Sequence, residues 1–324
     1  MSRKKVLMLQ PIHEVGFEIL RERFEVIVAK DPAAPAVLSE LKGVEGIIVR
    51  VAPLTREMIE AAESLKVVAK HGVGVDNIDV AACTERGILV LNTPDANAIS
   101  VAEHTITAMA SLAKRVVYVD QATRAGRWQV RDEYRTVDLD GKVLGLVGVG
   151  RIGTQVARKA RGAFNMNVIA YDPFITPEVA KEDSIALCAD MDQVFREADV
   201  VSLHIPLTPQ TRNLVGAEKL ALMKPSAFLV NFARGEIVDE AALVTALTDG
   251  RIAGAALDVF QQEPTSKDNP LFQLENVILS PHSAALTREC VMRMSRTTAQ
   301  GVADALTGIR PRYVANPEAL SAFK

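Results

Sequence analysis

Cysteine is scarce: Cys83, Cys188 and Cys290 are the only three in 324 residues, and they form no CxxC pair. That leaves each thiol the role of a small buried hydrophobe. It fits a reducing compartment, so a cytoplasmic location is expected. Aromatic residues make up only 5% of the chain, with a single tryptophan, Trp128. They do not interleave with basic residues, and the net charge is −3 with both signs spread along the chain, so no nucleic-acid partner is expected. No apolar run approaches the length of a membrane span, so no membrane partner is expected either. The opening Ser2-Arg3-Lys4-Lys5 followed by an apolar stretch has the look of a leader. The stretch stops at Gln10-Pro11, far too soon for one, and reads as a first β-strand. Fixed-period repeats and low-complexity segments are missing as well.

What is present is apolar material, at 48%, and a length that suggests two domains of roughly 150 residues each. That is enough for two cores with no disulfide or metal staple. Strand-like runs alternate with helical patterns, which predicts parallel βαβ units. One set of strands is read at 6–9, 26–28, 46–49, 67–69 and 89–91. A second is read at 143–147, 167–171, 200–204, 228–231, 255–259 and 277–279. The fold class is therefore α/β, with two doubly wound parallel sheets.

Between the sets, Ser100 and Glu103 have the form of a capping box at the head of a long helix running to about 119. Residues 126–140 fit neither period and read as an extended arm carrying Trp128. A last helix is read from about 286 to 308.

The strongest local signal is the strand 143–147 running into Gly148-Val149-Gly150-Arg151-Ile152-Gly153, with a helical pattern behind it. A G-x-G-x-x-G turn in that context is a dinucleotide fingerprint. Gly148 permits the tight turn, Gly150 lets backbone approach a pyrophosphate, and Gly153 lets the helix pack on the strand. The helix start, with Arg151 and Ile152, offers unpaired N–H groups to the phosphates. Asp172, about 20 residues on, ends the next strand. A carboxylate there accepts from ribose hydroxyls and repels a 2′-phosphate, so the expected cofactor is NAD rather than NADP.

Three further segments each place a chemically capable residue just past a strand: Asn231-Phe232-Ala233-Arg234-Gly235, Asp258-Val259-Phe260-Gln261-Gln262-Glu263 and Ser280-Pro281-His282-Ser283. Strand carboxyl ends are where ligands bind in open α/β sheets. Taken singly, Arg234 or Glu263 is more often a surface ion-pair member. Together and in this order, with Lys70-His71-Gly72-Val73-Gly74-Val75-Asp76-Asn77, Asn92-Thr93-Pro94 and Val101-Ala102-Glu103 ahead of them, they make the chain resemble the D-2-hydroxyacid dehydrogenase family, in its phosphoglycerate dehydrogenase-like branch.

That resemblance implies the following roles. His282 is the acid/base, Glu263 pairs with it and favours imidazolium, and Arg234 binds the substrate carboxylate and polarises the reacting carbonyl. Asp258 and Ala233 hold the nicotinamide carboxamide, and His204, Ile205 and Pro206 line the cofactor cleft. Val73 and Gly74 cradle the substrate carboxylate by their amides, and Arg50 and Lys70 are further anion contacts. Lys70 stands where relatives commonly have arginine, and bulky Leu286 follows Ala284-Ala285. No metal is implied. His13 and His104 are read as structural. The resemblance implies a discontinuous substrate-binding domain, 1–99 with 286–324, and an NAD-binding Rossmann domain, 100–285. It also implies a homodimer joined through the latter, and a small 2-hydroxy/2-keto acid as substrate. The regulatory domain of larger phosphoglycerate dehydrogenases is not expected. The competing reading is a dinucleotide-sensing binding protein or corepressor on the same fold. Formate dehydrogenases pair their histidine with glutamine, which Glu263 disfavours.

Overall fold

A computed structural model describes residues 3–33, 36–133 and 135–323. The chain divides into two compact units, Met1–Asn97 with Leu286–Lys324, and Ala98–Ala285. In chain order the first unit contains β1 (Lys5–Met8), α1 (Glu14–Arg21), β2 (Glu25–Val28), β3 (Val44–Val49), α2 (Arg56–Ala61), β4 (Val67–Lys70), α3 (Val80–Glu85) and β5 (Leu89–Leu91). The second unit begins with α4 (Ala98–Ala113), α5 (Val116–Arg124), β6 (Val143–Val147), α6 (Arg151–Phe164) and β7 (Asn167–Tyr171). It continues through α7 (Pro177–Glu182), β8 (Ala186–Leu187), α8 (Met191–Glu197), β9 (Val200–Leu203) and α9 (Ala217–Leu222). It closes with β10 (Phe228–Asn231), α10 (Glu240–Thr248), β11 (Gly254–Leu257) and β12 (Val277–Leu279), after which α11 (Arg288–Thr307) returns to the first unit.

Both sheets are parallel throughout, as the alternation of elements predicts. The first has the order β2-β1-β3-β4-β5, reversing between β1 and β3. The second has the order β12-β11-β10-β9-β6-β7-β8, reversing between β6 and β9. The latter is the Rossmann order with one strand added at the far edge. Helices cover both faces, which is why the strands read as continuous apolar runs instead of alternating. On one face of the first sheet Leu7, Ile47 and Val68 pack with Met58, Ile59 and Cys83. On the other, Val6, Met8 and Ile48 meet Leu20 of α1 and Val302 and Leu306 of α11. In the second unit α4 and α6 bury Met109, Leu112, Val156 and Ala157 on one face. There α8, α9 and α10 bury Phe195, Leu220 and Leu247 on the other. Each fully buried Leu, Ile, Val, Met or Phe side chain among these contributes about 1.5–3 kcal/mol.

Local chemistry sets the helix ends. Thr287 caps α11 by accepting from the Cys290 amide, and Gly308 ends it at φ 80°. The capping box at Ser100 does not form. The helix starts two residues earlier, Ser100 is buried inside it, and Glu103 pairs with Lys159 at 3.3 Å. Nor does the helix run unbroken to 119. Arg115 takes a left-handed φ of 48° between α4 and α5, its guanidinium lying 3.9 Å over the Tyr118 ring and 3.2 Å from Glu133. The two-residue edge strand β8 carries too short an apolar run to be read from sequence. In the 126–140 segment a 3-10 turn spans Trp128–Asp132, and Trp128 is 69% exposed. Tyr134 in this segment lies outside the described residues.

Candidate active site

The reversal point between β6 and β9 is where the glycine turn sits. Gly148 has φ 93°, and a Cβ there would lie 2.7 Å from the His204 carbonyl oxygen and 2.9 Å from Ile205 Cγ2. Only glycine lets β6 end this close to the chain leaving β9. A Cβ on Gly153 would lie 2.4 Å from the Gly148 carbonyl oxygen, so the first turn of α6 packs directly on the turn. Gly150 is the N-cap of α6, makes no side-chain cap, and has nothing within 4 Å of its Cβ position. Arg151 is exposed and Ile152 half-buried at the helix start. The Asp172 carboxylate accepts from the Val149 amide at 2.8 Å through Oδ2 and from the Phe174 amide at 2.9 Å through Oδ1. Beyond β9, the His204 ring contacts Ser202 Oγ at 2.9 Å. Burial pushes His204 down to about 4, so it is neutral. Pro206 beside it is exposed. Glycine backbone, an open helix N-terminus and a carboxylate at the next strand end form a donor and acceptor set that fits a dinucleotide.

The three segments read as catalytic lie at the carboxyl ends of β10, β11 and β12, which are neighbours in this sheet. After β10, buried Asn231 shapes the turn: its Oδ1 accepts from the Ala233 amide at 3.1 Å, and its Nδ2 donates to the Arg234 carbonyl at 2.9 Å. The half-buried Arg234 guanidinium donates to the Ala233 carbonyl at 2.7 Å. A Cβ on Gly235 would lie 2.0 Å from the backbone of Phe260, so this turn and the loop after β11 touch main chain to main chain.

After β11, Glu263 Oε1 accepts from the Phe260 amide at 3.0 Å, and His282 Nδ1 donates to Glu263 Oε2 at 2.6 Å. Burial raises the Glu263 carboxyl, but the His282 hydrogen bond, the Phe260 amide and the charges of His282 and Arg234 outweigh it. The group is held below the usual carboxylate range and is ionised at neutral pH. It therefore accepts the Nδ1 proton and leaves Nε2 of His282 for proton exchange. His282 itself has a left-handed φ of 52°, a strained conformation for a residue with a Cβ.

Asp258 holds that conformation. Its carbonyl accepts from the His282 amide at 2.7 Å. Its buried carboxylate accepts from Ser280 Oγ at 2.5 Å, the Ser283 amide at 2.8 Å and the Ala284 amide at 2.8 Å. Sequence reasoning missed Asn231, Gly235 and Ser280 as parts of this site. The partners of Gly235 and Ser280 lie on the neighbouring loop and those of Asn231 within its own turn, though each stands within three residues of a residue it did single out.

The first unit carries the remaining candidates on its own sheet. Arg50 follows β3 at that sheet's reversal point and donates to the Pro11 carbonyl at 2.9 Å. Lys70 ends β4, and its ammonium donates to the Arg50 carbonyl at 2.6 Å and to Asn77 Oδ1. It ties β3 to the loop that follows β4. In that loop the Val73 carbonyl accepts from Asn92 at 2.9 Å. The amides of Val73 and Gly74 donate to no acceptor among the described residues. His71, buried beside them, contacts Ser295 Oγ at 2.9 Å. Burial, with Arg50 and Lys70 adding to it, lowers His71 to about 4.

Residues 106–284, more than half of the chain, match the family described as D-isomer specific 2-hydroxyacid dehydrogenase, NAD binding domain. The chain belongs to this family. It is 44% identical over 313 residues to the D-3-phosphoglycerate dehydrogenase of Methanocaldococcus jannaschii, covering 96% of this chain and 59% of that protein. It is 38% identical over 323 residues to the glyoxylate reductase of Korarchaeum cryptofilum, covering 98% and 97% of the two chains. Among solved structures it superimposes on the NADPH-dependent glyoxylate/hydroxypyruvate reductase of Sinorhizobium meliloti, solved with NADP and malonate. There the TM-score is 0.88 at 31% identity, with 98% of each chain covered. The 2-hydroxyacid dehydrogenase family thus accounts for the glycine turn and the seven-stranded sheet.

Proposed function

We propose that this chain is an NAD-dependent oxidoreductase that moves a hydride between the nicotinamide and a small 2-hydroxy or 2-keto acid. It is of the glyoxylate/hydroxypyruvate reductase or 3-phosphoglycerate dehydrogenase type. The observation that carries the reading is the 2.6 Å bond from His282 to ionised Glu263, on the sheet that also carries the glycine turn. In this reading Gly148, Gly150, Arg151, Ile152 and Gly153 hold the pyrophosphate and Asp172 the ribose. His204, Ile205, Pro206, Ala233 and Asp258 surround the nicotinamide end. Asp258 has three of about four acceptor positions filled, which leaves one for a carboxamide N–H. Bound there, NAD supplies or accepts the hydride.

The chain's own residues do the rest. His282 gives the Nε2 proton to the carbonyl oxygen in reduction and takes the hydroxyl proton in oxidation, while Glu263 fixes the ring through Nδ1. Arg234 binds the substrate carboxylate with a planar fork and opposes negative charge building on the reacting oxygen. On the first unit, the Val73 and Gly74 amides donate to the carboxylate and Arg50 serves a second anionic group. Lys70 contributes positive field more than direct contact, since its ammonium is engaged. The assignment of 1–99 with 286–324 to substrate and 100–285 to NAD follows from this division of labour.

Homodimerisation through the cofactor unit belongs to the same proposal. It is supported by the exposed apolar side chains Val116, Val117, Trp128 and Val137 on and beside the 126–140 arm. The three free cysteines support a cytoplasmic setting, and the mixed surface charge supports the absence of a nucleic-acid partner.

The test is NADH oxidation against glyoxylate, hydroxypyruvate, phosphohydroxypyruvate, pyruvate and sulfopyruvate. The expected result is turnover of at least one, reduced about a thousandfold in His282→Ala. Tight NADH binding without turnover of any would replace this reading with the dinucleotide-sensing one.

A further inference from the structure

His104 lies on α4, far in sequence from every residue given a role above. Its ring meets Phe232 edge to face, with centroids 4.9 Å apart at 63°. Its Nε2 is 3.3 Å from Ser280 Oγ. Phe232 belongs to the turn that carries Arg234, and Ser280 to the loop that carries His282. A single side chain therefore touches both.

The direction of the hydrogen bonds is fixed by chemistry. Asp258 cannot donate while ionised, so the one Ser280 hydroxyl proton goes to Asp258 Oδ1 at 2.5 Å. Ser280 Oγ can then only accept from His104, which carries its proton on Nε2. The chain of donors runs from His104 through Ser280 to Asp258. From there the carboxylate holds the Ser283 and Ala284 amides, and the carbonyl holds His282 in its left-handed conformation. With Ser280 supplying one of the three donors on a buried carboxylate, the orientation of Asp258 depends on this side chain.

We propose that His104, acting through Ser280, is a positioning residue that orients Asp258 and keeps the Arg234 turn and the His282 loop in register. Its catalytic consequence rests on the acid/base reading of His282 given above; the network itself does not.

The experiment compares His104→Leu, His104→Gln, Ser280→Ala and the His104→Leu/Ser280→Ala double variant. Leucine keeps the packing on Phe232 and removes the donor, whereas glutamine restores an N–H donor near Nε2. Amide hydrogen exchange of residues 280–285 reads the network without any turnover. It is expected to quicken about tenfold in His104→Leu, equally in Ser280→Ala and in the double variant, and to return most of the way in His104→Gln. With a turned-over keto acid, kcat is expected to fall about tenfold in His104→Leu while KM stays within about twofold, with glutamine again restoring it. Exchange or kcat in His104→Leu equal to the parent overturns the proposal. Equal losses in the leucine and glutamine variants, or additive losses in the double variant, do the same. If the parent turns over none of the acids, the acid/base reading falls, and exchange alone then decides the network.

Discussion

The loops at the carboxyl ends of the two sheets are built on different plans. In the second unit they are braced against one another. Gly235 presses on the Phe260 backbone, Glu263 reaches His282, and Asp258 takes four hydrogen bonds from residues 280–284. In the first unit the loop after β4 is held at its base by Lys70, Asn77 and His71, and its tip presents backbone amides with no protein acceptor among the described residues. Side chains that exchange a proton need a fixed direction, and bracing supplies it. A carboxylate can be received by backbone donors alone, which asks only that the loop base be firm.

The largest effect expected from breaking this contrast is at Gly235. In Gly235→Ala the new methyl meets main-chain atoms that cannot rotate away. The second unit should lose about 3 kcal/mol, read as a lower urea midpoint, and Arg234 and Glu263 should lose their mutual placement. A variant as stable and active as the parent would show that the two loops are not braced through this contact.

The first unit is probed by pH. His71 has a folded value of about 4 against an ordinary 6.5. As pH falls, the unfolded chain takes up a proton first. The stability His71 confers is therefore whole above about pH 6.5, is lost progressively down to about 4, and is flat below. The stability difference between the parent and His71→Gln should shrink by about 3 kcal/mol across that window. A difference that does not change with pH would mean that the loop base does not depend on a neutral imidazole.

A smaller effect is expected from Glu263→Gln, which keeps a hydrogen-bond acceptor but removes the charge. The kcat/KM for keto-acid reduction should fall about tenfold. Its pH profile should change. An unchanged profile would discard the functional pairing of Glu263 with His282.

Much of the fold was legible because parallel sheets covered on both faces leave continuous apolar runs, and eleven such runs coincide with strands. The misreadings share a cause. Ser100 and Glu103 match a local capping pattern, but the buried face of α4 extends past them to Ala98. Arg115 breaks the helix through Tyr118 and Glu133, contacts that no helical periodicity encodes. In the candidate site, residue types at strand ends pointed to Arg234, Glu263 and His282. Asn231 acts within its own turn, whereas Gly235, Ser280 and His104 act through partners brought near by the fold, and His104 stands 176 positions from Ser280. Their chemistry is ordinary, and only the fold gives it a target.

Asp172 serves two masters. The carboxylate proposed to hold the ribose and repel a 2′-phosphate is also the acceptor for the Val149 amide, inside the glycine turn, and for the Phe174 amide after it. On that proposal, coenzyme preference and the shape of the turn rest on one side chain. Replacing this residue to admit NADP would also remove the acceptor of the Val149 amide in the glycine turn. A coenzyme switch at Asp172 is then expected to need a second change that re-anchors the Val149 amide.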